Sequence, residues 1–446
     1  MNRARDTLIR IFRAALLASD PGRRVREALL TGAEEVSLAG GGTASSMPRG
    51  GAGSIFLVGG GKAGRTMGEA ALAAIGGRVA AGALAVPPGS GGSAGAVRFI
   101  EAGHPLPDRG SLAAAREILA LLSRAGERDL VIALISGGGS AMIASPVEGV
   151  SLREKSALSS LLLRAGADVA SLNTVRKHLS RIKGGRSARA AYPARVWALL
   201  LSDVAGDDPS VIASGPFSPD PTTRGDALGV LSRLGILHEA PRSVLRQLEA
   251  GAAGEQGETP KPGDPVFARV TCVVAGSNRT ALEGAAARAK IEGLEPVRLL
   301  PGFLSGDAGE CAKAFVAKLR QLSPSLAPGG TAALIAGGET TVRVKGTGKG
   351  GRCQEFALSA ALEISGTAGM AILCGGTDGI DGATDAAGAV ADGSTGVRAE
   401  ENGLSPRAFL ENNDSYSFFR AIGDLVVTGP TGTNVADVAI GLVTKE

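Results

Sequence analysis

A chain of 446 residues can hold two or three domains, and two is the expectation at this length. It is 44% hydrophobic and 20% charged, a globular balance; a formal charge of +4, with two Tyr and one Trp, excludes an extended nucleic-acid surface. Its four cysteines, Cys272, Cys311, Cys353 and Cys374, form no C-x-x-C pair and no Cys/His metal spacing, which fits a reduced, cytoplasmic protein without disulfides.

The basic amino terminus has the look of a transit peptide, but Asp20-Pro21 reads as the N-cap and first residue of a helix. Residues 6–18 therefore read as the first helix of the fold, with a second opening at Pro21. The apolar stretch 70–86 is broken by Gly76, Gly77 and Arg78 well short of a membrane span, so no membrane partner is expected. Short apolar runs then alternate with helical patterns. Strands are expected at 54–58, 83–86, 97–102, 130–135 and 196–201, and helices at 64–75, 111–125, 152–165 and 173–182. Runs as uniformly apolar as Leu130-Val-Ile-Ala-Leu-Ile135 suit a parallel sheet covered on both faces, hence a doubly wound, Rossmann-like α/β domain over 1–250.

The stretch 251–265, rich in Gly, Glu and Pro, reads as a linker, and a second α/β domain is expected over 266–446. Its strands are predicted at 270–275, 297–300, 332–336, 341–344, 370–374, 425–428 and 438–443. Its helices are predicted at 281–289, 308–322 and 355–364, and the stretches 39–53 and 323–330 read as loops.

Five apolar runs end in turns of small residues: Gly59-Gly-Gly-Lys62, Ser136-Gly-Gly-Gly-Ser140, Ala275-Gly-Ser-Asn278, Gly337-Gly-Glu-Thr340 and Gly375-Gly-Thr-Asp378. A single glycine turn between strand and helix is usually structural. Five at strand ends suggest phosphate cradles, with backbone N–H groups and helix N-termini facing an anion. This puts Gly59, Gly60, Gly61, Ser136, Gly137, Gly138, Gly139, Ser140, Asn278 and Glu339 forward as nucleotide-binding candidates. Gly59-x-Gly61-x-x-Gly64 also satisfies the dinucleotide fingerprint. That reading needs an acid at the end of the next strand, where the sequence has Val86-Pro87-Pro88-Gly89 instead. Lys62, inside the fingerprint, serves a phosphoryl donor better than a dinucleotide, and no Walker A motif is present.

Asp203 and Asp378 sit just beyond strands and next to glycine turns, where a Mg²⁺ carried by phosphates needs one or two carboxylates. Asp381 and Asp385 lie in Asp-Gly-type turns and read equally as turn formers. Arg352 opens a predicted helix after a Gly- and Lys-rich segment. It reads either as a fork for a carboxylate or phosphoryl group or as part of a solvated hairpin tip. His104, in Gly103-His-Pro-Leu-Pro-Asp108, and His178 read as structural.

Together these motifs resemble the class II glycerate 2-kinases, whose carboxyl-terminal half is the MOFRL domain. The resemblance runs through Val58-Gly-Gly-Gly-Lys-Ala-Gly, Ile135-Ser-Gly-Gly-Gly-Ser-Ala and Asn173-Thr-Val-Arg-Lys-His-Leu-Ser-Arg-Ile-Lys-Gly-Gly. It continues in Leu201-Ser-Asp-Val-Ala-Gly-Asp-Asp, Gly350-Gly-Arg, Gly375-Gly-Thr-Asp-Gly-Ile-Asp-Gly and Val427-Thr-Gly-Pro-Thr-Gly-Thr-Asn434. It implies ATP- and Mg²⁺-dependent phosphorylation of D-glycerate at its 2-hydroxyl, in a cleft between two α/β domains, by a monomer or homodimer. The family's catalytic lysine and arginine fall on Lys62 and Arg352, while Cys353 stands where the family pattern has Asn. Relatives have also been labelled NAD(P)H-dependent hydroxypyruvate reductases, the alternative reading.

Overall fold

The computed structural model describes residues 2–31, 35–39, 45–48, 53–252, 254 and 257–445. The chain forms two compact units, one of residues 21–275 and one of the residues up to Asp20 together with those from Gly276 onward.

The unit of residues 21–275 is built on a seven-stranded sheet in the order Val270–Gly276, Arg195–Leu201, Leu130–Ile135, Ile55–Gly60, Val79–Val86, Val97–Glu101, Gly92–Ala94. From Arg195–Leu201 to Val97–Glu101 neighbouring strands run parallel. Alternate residues feed two separate cores. Phe56, Val58, Val131 and Ala133 pack on one face against the helix Arg109–Leu122. Ile55, Leu57, Leu130 and Trp197 pack on the other against the helix Gly64–Ile75. Burial on both faces explains the continuous apolar runs. The chain leaves Ile55–Gly60 for Val79–Val86 on one side and later returns to Leu130–Ile135 on the other. The strand order thus reverses at Ile55–Gly60, and crevices off the carboxyl ends of strands at such reversals are where α/β sheets bind ligands.

The other unit carries the order Val297–Leu299, Thr331–Thr341, Asp437–Thr444, Met370–Gly376, Gly388–Asp392, Leu425–Val426, with Leu304–Asp307 paired to the far end of Thr331–Thr341. Val297–Leu299 and Leu304–Asp307 run parallel to Thr331–Thr341, and the remaining pairs are antiparallel. Among the described residues no helix is long and apolar enough to cross a membrane.

The units divide the chain differently from the sequence expectation. The first helix, Asn2–Ala18, places Leu8, Ile11, Phe12 and Ala15 on one stripe, and this stripe is fully buried against the second sheet and the helix Asn278–Ile291. The expected linker 251–265 does not separate two units: beyond it Val270–Gly276 joins the first sheet beside Arg195–Leu201. Residues 253, 255 and 256 of that stretch lie outside the described residues, as do 40–44 and 49–52 of the expected loop 39–53. Within that loop, Ser45–Pro48 pairs with Glu35–Leu38 in a small antiparallel sheet. No separate strand forms at 341–344, because Thr331–Thr341 runs on as one strand and Val344 is exposed. The helix expected at 173–182 is Val169–His178, started earlier by Asp168, whose carboxylate accepts the Ser171 N–H at 2.7 Å.

Phe12 is fully buried, and its ring lies over Gly375. Phe12→Ala should therefore destabilise the protein by about 3–5 kcal/mol, read as a lower midpoint in urea denaturation followed by circular dichroism.

Candidate active site

In the unit of residues 21–275, Gly59, Gly60 and Gly61 have φ of 131°, 150° and 138°. A Cβ at Gly59 would overlap the Leu134 carbonyl, one at Gly60 would fall 2.5 Å from the Ala85 oxygen, and one at Gly61 would overlap the Ser136 hydroxyl. Glycine is required here by neighbouring backbone on both sides. The turn's donors are also spent within the protein. The Gly61 N–H donates to Ala85 O at 3.1 Å, Lys62 N–H to Gly137 O at 2.8 Å and Ala63 N–H to Ser136 Oγ at 3.1 Å. Gly59–Gly61 thus let three strands close up and deliver Lys62 half-buried at the crevice, rather than offering a ring of N–H groups to an anion. In the second turn, by contrast, the N–H groups of Gly137, Gly138 and Ser140 donate to no acceptor among the described residues.

His104, read as structural from sequence, belongs to this locus. A Cβ on Gly138 would lie 3.0 Å from the His104 ring and 3.3 Å from Lys62 Cγ, so imidazole, lysine and glycine turn converge. Partial burial and the charge of Lys62 lower the His104 pKa, keeping the ring neutral at pH 7. Asp203 follows Arg195–Leu201 at the same carboxyl edge, half-buried, before a loop whose Ala213 and Ser214 hold φ of 50° and 62°. Non-glycine residues in this region store strain, which concentrates at functional sites.

In the other unit the candidates gather at one end of the second sheet. Asp437 lies in register with Gly338 on one neighbouring strand and Gly376 on the other. It receives Arg352 as a two-pronged pair, Nε to Oδ2 at 2.6 Å and Nη2 to Oδ1 at 3.0 Å, while Arg352 Nη1 donates to Glu339 Oε1 at 2.6 Å. Burial works against the arginine's charge, but the Asp437 carboxylate and then Glu339 outweigh it and raise its pKa. Arg352 is thus a fixed cation with donors to spare. Glu339, a nucleotide-binding candidate from sequence, has one oxygen committed to this arginine. Asn278 is likewise committed: its amide donates to Val435 O and Asp437 O, both at 2.9 Å, and its oxygen fills the place of a Gly337 side chain.

The aspartates separate. Asp381 is buried and accepts the N–H groups of Cys353 at 3.1 Å and Gln354 at 2.8 Å, so it caps the helix that carries Arg352. Asp385 accepts the Tyr416 hydroxyl at 2.7 Å. Asp378 is half-buried after Met370–Gly376, with its carboxylate also accepting the Ile380 N–H at 3.2 Å. Cys353 is buried in the core, where burial raises its pKa. Among the described residues no three His, Cys, Asp or Glu side chains gather as metal ligands, and a phosphate-borne Mg²⁺ needs only one or two carboxylates. A cavity of about 950 Å³ opens at the opposite end of the second sheet, beside Thr331, Met370 and Thr444, and contains none of these candidates.

The chain is similar to known proteins over most of its length. Residues 7–249 match the family described as "Domain of unknown function (DUF4147)", and residues 332–437 match the MOFRL family. The chain is 42% identical to a D-glycerate 2-kinase of Thermotoga maritima, over 87% of this chain and 90% of that one. It is also 42% identical to a protein of Agrobacterium vitis provisionally named hydroxypyruvate reductase, over 99% of this chain and 94% of that one. The crystal structure of a Thermotoga maritima glycerate kinase superposes with a TM-score of 0.86 at 38% identity, covering 99% of this chain and 100% of that one.

Burial raises Asp381 to about 6 against an ordinary 3.8. Between those values the unfolded chain has released the proton and the folded one still holds it. This group's contribution to stability is therefore full below about pH 4 and lost as pH rises through about 6, by on the order of 3 kcal/mol. Asp381→Asn should lack this loss. The check is the wild-type-minus-variant difference in urea stability from pH 4 to 7, expected to fall with pH.

Proposed function

The chain belongs to the glycerate kinase family, and from that premise we propose how its residues carry out the transfer. It is a glycerate 2-kinase, a phosphotransferase that uses glycerate and ATP. In our reading the γ-phosphoryl of ATP passes to the 2-hydroxyl of D-glycerate, giving 2-phosphoglycerate, with Mg²⁺ and in the cytoplasm, where free cysteines such as these stay reduced. Phosphoryl transfer asks a protein for positioning and for cations where negative charge is spread. Lys62 and Arg352 supply those cations. Each is set at a strand-end glycine site of its own unit, and Arg352 is pre-oriented by Asp437 and Glu339, so little reorganisation is needed when the charge moves.

Asp203 and Asp378 are the proposed carboxylates for Mg²⁺, which would shield the phosphates. Neutral His104, beside Lys62, is placed to accept a hydrogen bond from a hydroxyl, and the open N–H groups of Gly137, Gly138 and Ser140 to hold an oxyanion.

The observation that carries the reading is Lys62 at the reversal of strand order, in a chain similar over nearly its whole length to glycerate kinases. A reductase is disfavoured by the same turn. A dinucleotide needs the N–H groups of Gly59–Gly64, and those of Gly61, Lys62, Ala63 and Gly64 donate internally. The strand Val79–Val86 also runs into Pro87 with no acid at its end.

With D-glycerate, ATP and Mg²⁺ the protein should form ADP and 2-phosphoglycerate; with hydroxypyruvate and NAD(P)H it should oxidise no nicotinamide. The opposite pair of results would sink the kinase reading. Lys62→Ala should lower kcat by about a hundredfold or more, and Arg352→Ala by about a thousandfold or more, in a coupled ADP assay. Arg352→Lys should stay well below wild type, because a single ammonium cannot reproduce the fork.

A further inference from the structure

Beside the Ser136–Ser140 turn lies a lysine, Lys183, that the reaction as described does not use, and the charges of Lys155 and Arg176 act on it. Lys183 is buried, and its ammonium donates to Ser140 O at 2.8 Å, Ser140 Oγ at 3.1 Å and Ala213 O at 3.3 Å. The Ser214 hydroxyl donates to Asn173 Oδ1 at 2.8 Å, so the 3.1 Å contact between the two serines runs from Ser140 to Ser214. All protons in this chain point one way, from Lys183 through Ser140 and Ser214 to Asn173, whose amide NH₂ is left as the outgoing donor. Such one-directional chains polarise each member.

Arg176 stands three residues beyond Asn173 in the helix Val169–His178, hence on the same face. Its charge acts on both Lys155 and Lys183. Lys155, on the helix Leu152–Arg164, is 7% exposed, and its ammonium has no hydrogen-bond partner. Among the described residues no carboxylate pairs with Lys155, Arg176 or Lys183; the adjacent Glu154 is committed to Ser151 and Ser243. Burial, then Arg176, lowers Lys155 to about 7, the mark of a cation lacking its counter-charge. Buried cations without partners are costly and are seldom kept without something to offset them.

We propose that Lys155, Arg176 and the Asn173 amide form a buried oxyanion subsite, occupied by the carboxylate of the acceptor acid or by a phosphate of the nucleotide, with Lys183, Ser140 and Ser214 as positioning residues. The proposal rests on the kinase reading for the identity of its ligands. Its geometry lies wholly within residues 140–214.

The test titrates wild type, Lys155→Met and Asn173→Asp calorimetrically with D-glycerate, with ATP and with inorganic phosphate, each alone. Both variants should lose about tenfold or more in affinity for the same organic ligand. Loss for D-glycerate assigns the subsite to the carboxylate; loss for ATP assigns it to the nucleotide. Without ligand, Lys155→Met should melt no lower than wild type, because an unpartnered buried charge is replaced by an apolar chain of similar length. Variants that bind all three anions as wild type does would overturn the subsite, whatever their melting temperatures. Failure of the kinase reading looks different: wild type then forms no ADP from glycerate and ATP, while the inorganic phosphate titration still decides whether the cations hold an oxyanion.

Discussion

The absence of room for a Cβ at residues 59–61 governs the site in the unit of residues 21–275. Leu134, Ala85 and Ser136 occupy the space where side chains would stand, so the strands on both sides approach as closely as backbone permits. Substituting any of the three would have to part the sheet at the point where its strand order reverses. Lys62 emerges directly from this tight seam, with its own N–H tied to Gly137 O. The cation is therefore aimed by backbone packing. The amides of the first turn are consumed in making that packing, and an anion must look to the neighbouring turn for its N–H groups.

The other unit reaches a similar end by a different route. Asp437 is flanked in register by Gly338 and Gly376, which leave space above the sheet for the planar fork of Arg352. Two buried aspartates here have separate work. Asp437 orients the guanidinium, whereas Asp381 satisfies two open N–H groups at the start of the same helix. One carboxylate holds the side chain and the other holds the helix from which it projects, so the arginine is fixed at both ends.

Much of the fold could be read from periodicity. The limits of Gly64–Ile75 and Leu130–Ile135 match the expectation, because Gly76 stops the helix and Asp129 and Ser136 bound the apolar run of the strand. The ownership of elements could not be read. Asn2–Ala18 has an amphipathic stripe that would suit many partners, and only tertiary packing shows that it covers the second sheet. At the site, Lys62 and Arg352 were legible because glycine and charge together are unusual at strand ends. The jobs of the glycines were not, since a sequence does not say whether an N–H faces a ligand or a neighbouring strand. His104 reads as structural because its own Pro-rich turn points that way, while its relation to Gly138 is a contact between loops more than thirty residues apart. Lys155 was invisible for a related reason, as a lysine on an amphipathic helix reads as solvated until its burial is seen.

The treatment of buried charge separates the two kinds of cation in this protein. Arg352 is held between two carboxylates, so its charge is largely balanced before any ligand arrives, and it gains its effect through geometry. Lys155 and Lys183, which are buried, and the half-buried Arg176 have no such balance. The desolvation of Lys155 is a standing cost to the fold, which an apolar residue in its place would not carry. An anion that neutralises them removes this cost as it binds, so part of its binding free energy appears as stabilisation of the protein. Cations already stripped of water also interact with an arriving oxyanion at low effective dielectric, where a charge of opposite sign counts for more than at the surface. A small acid has few atoms through which to be recognised, and burying the cations that meet it is one physical way to extract specificity from so little surface.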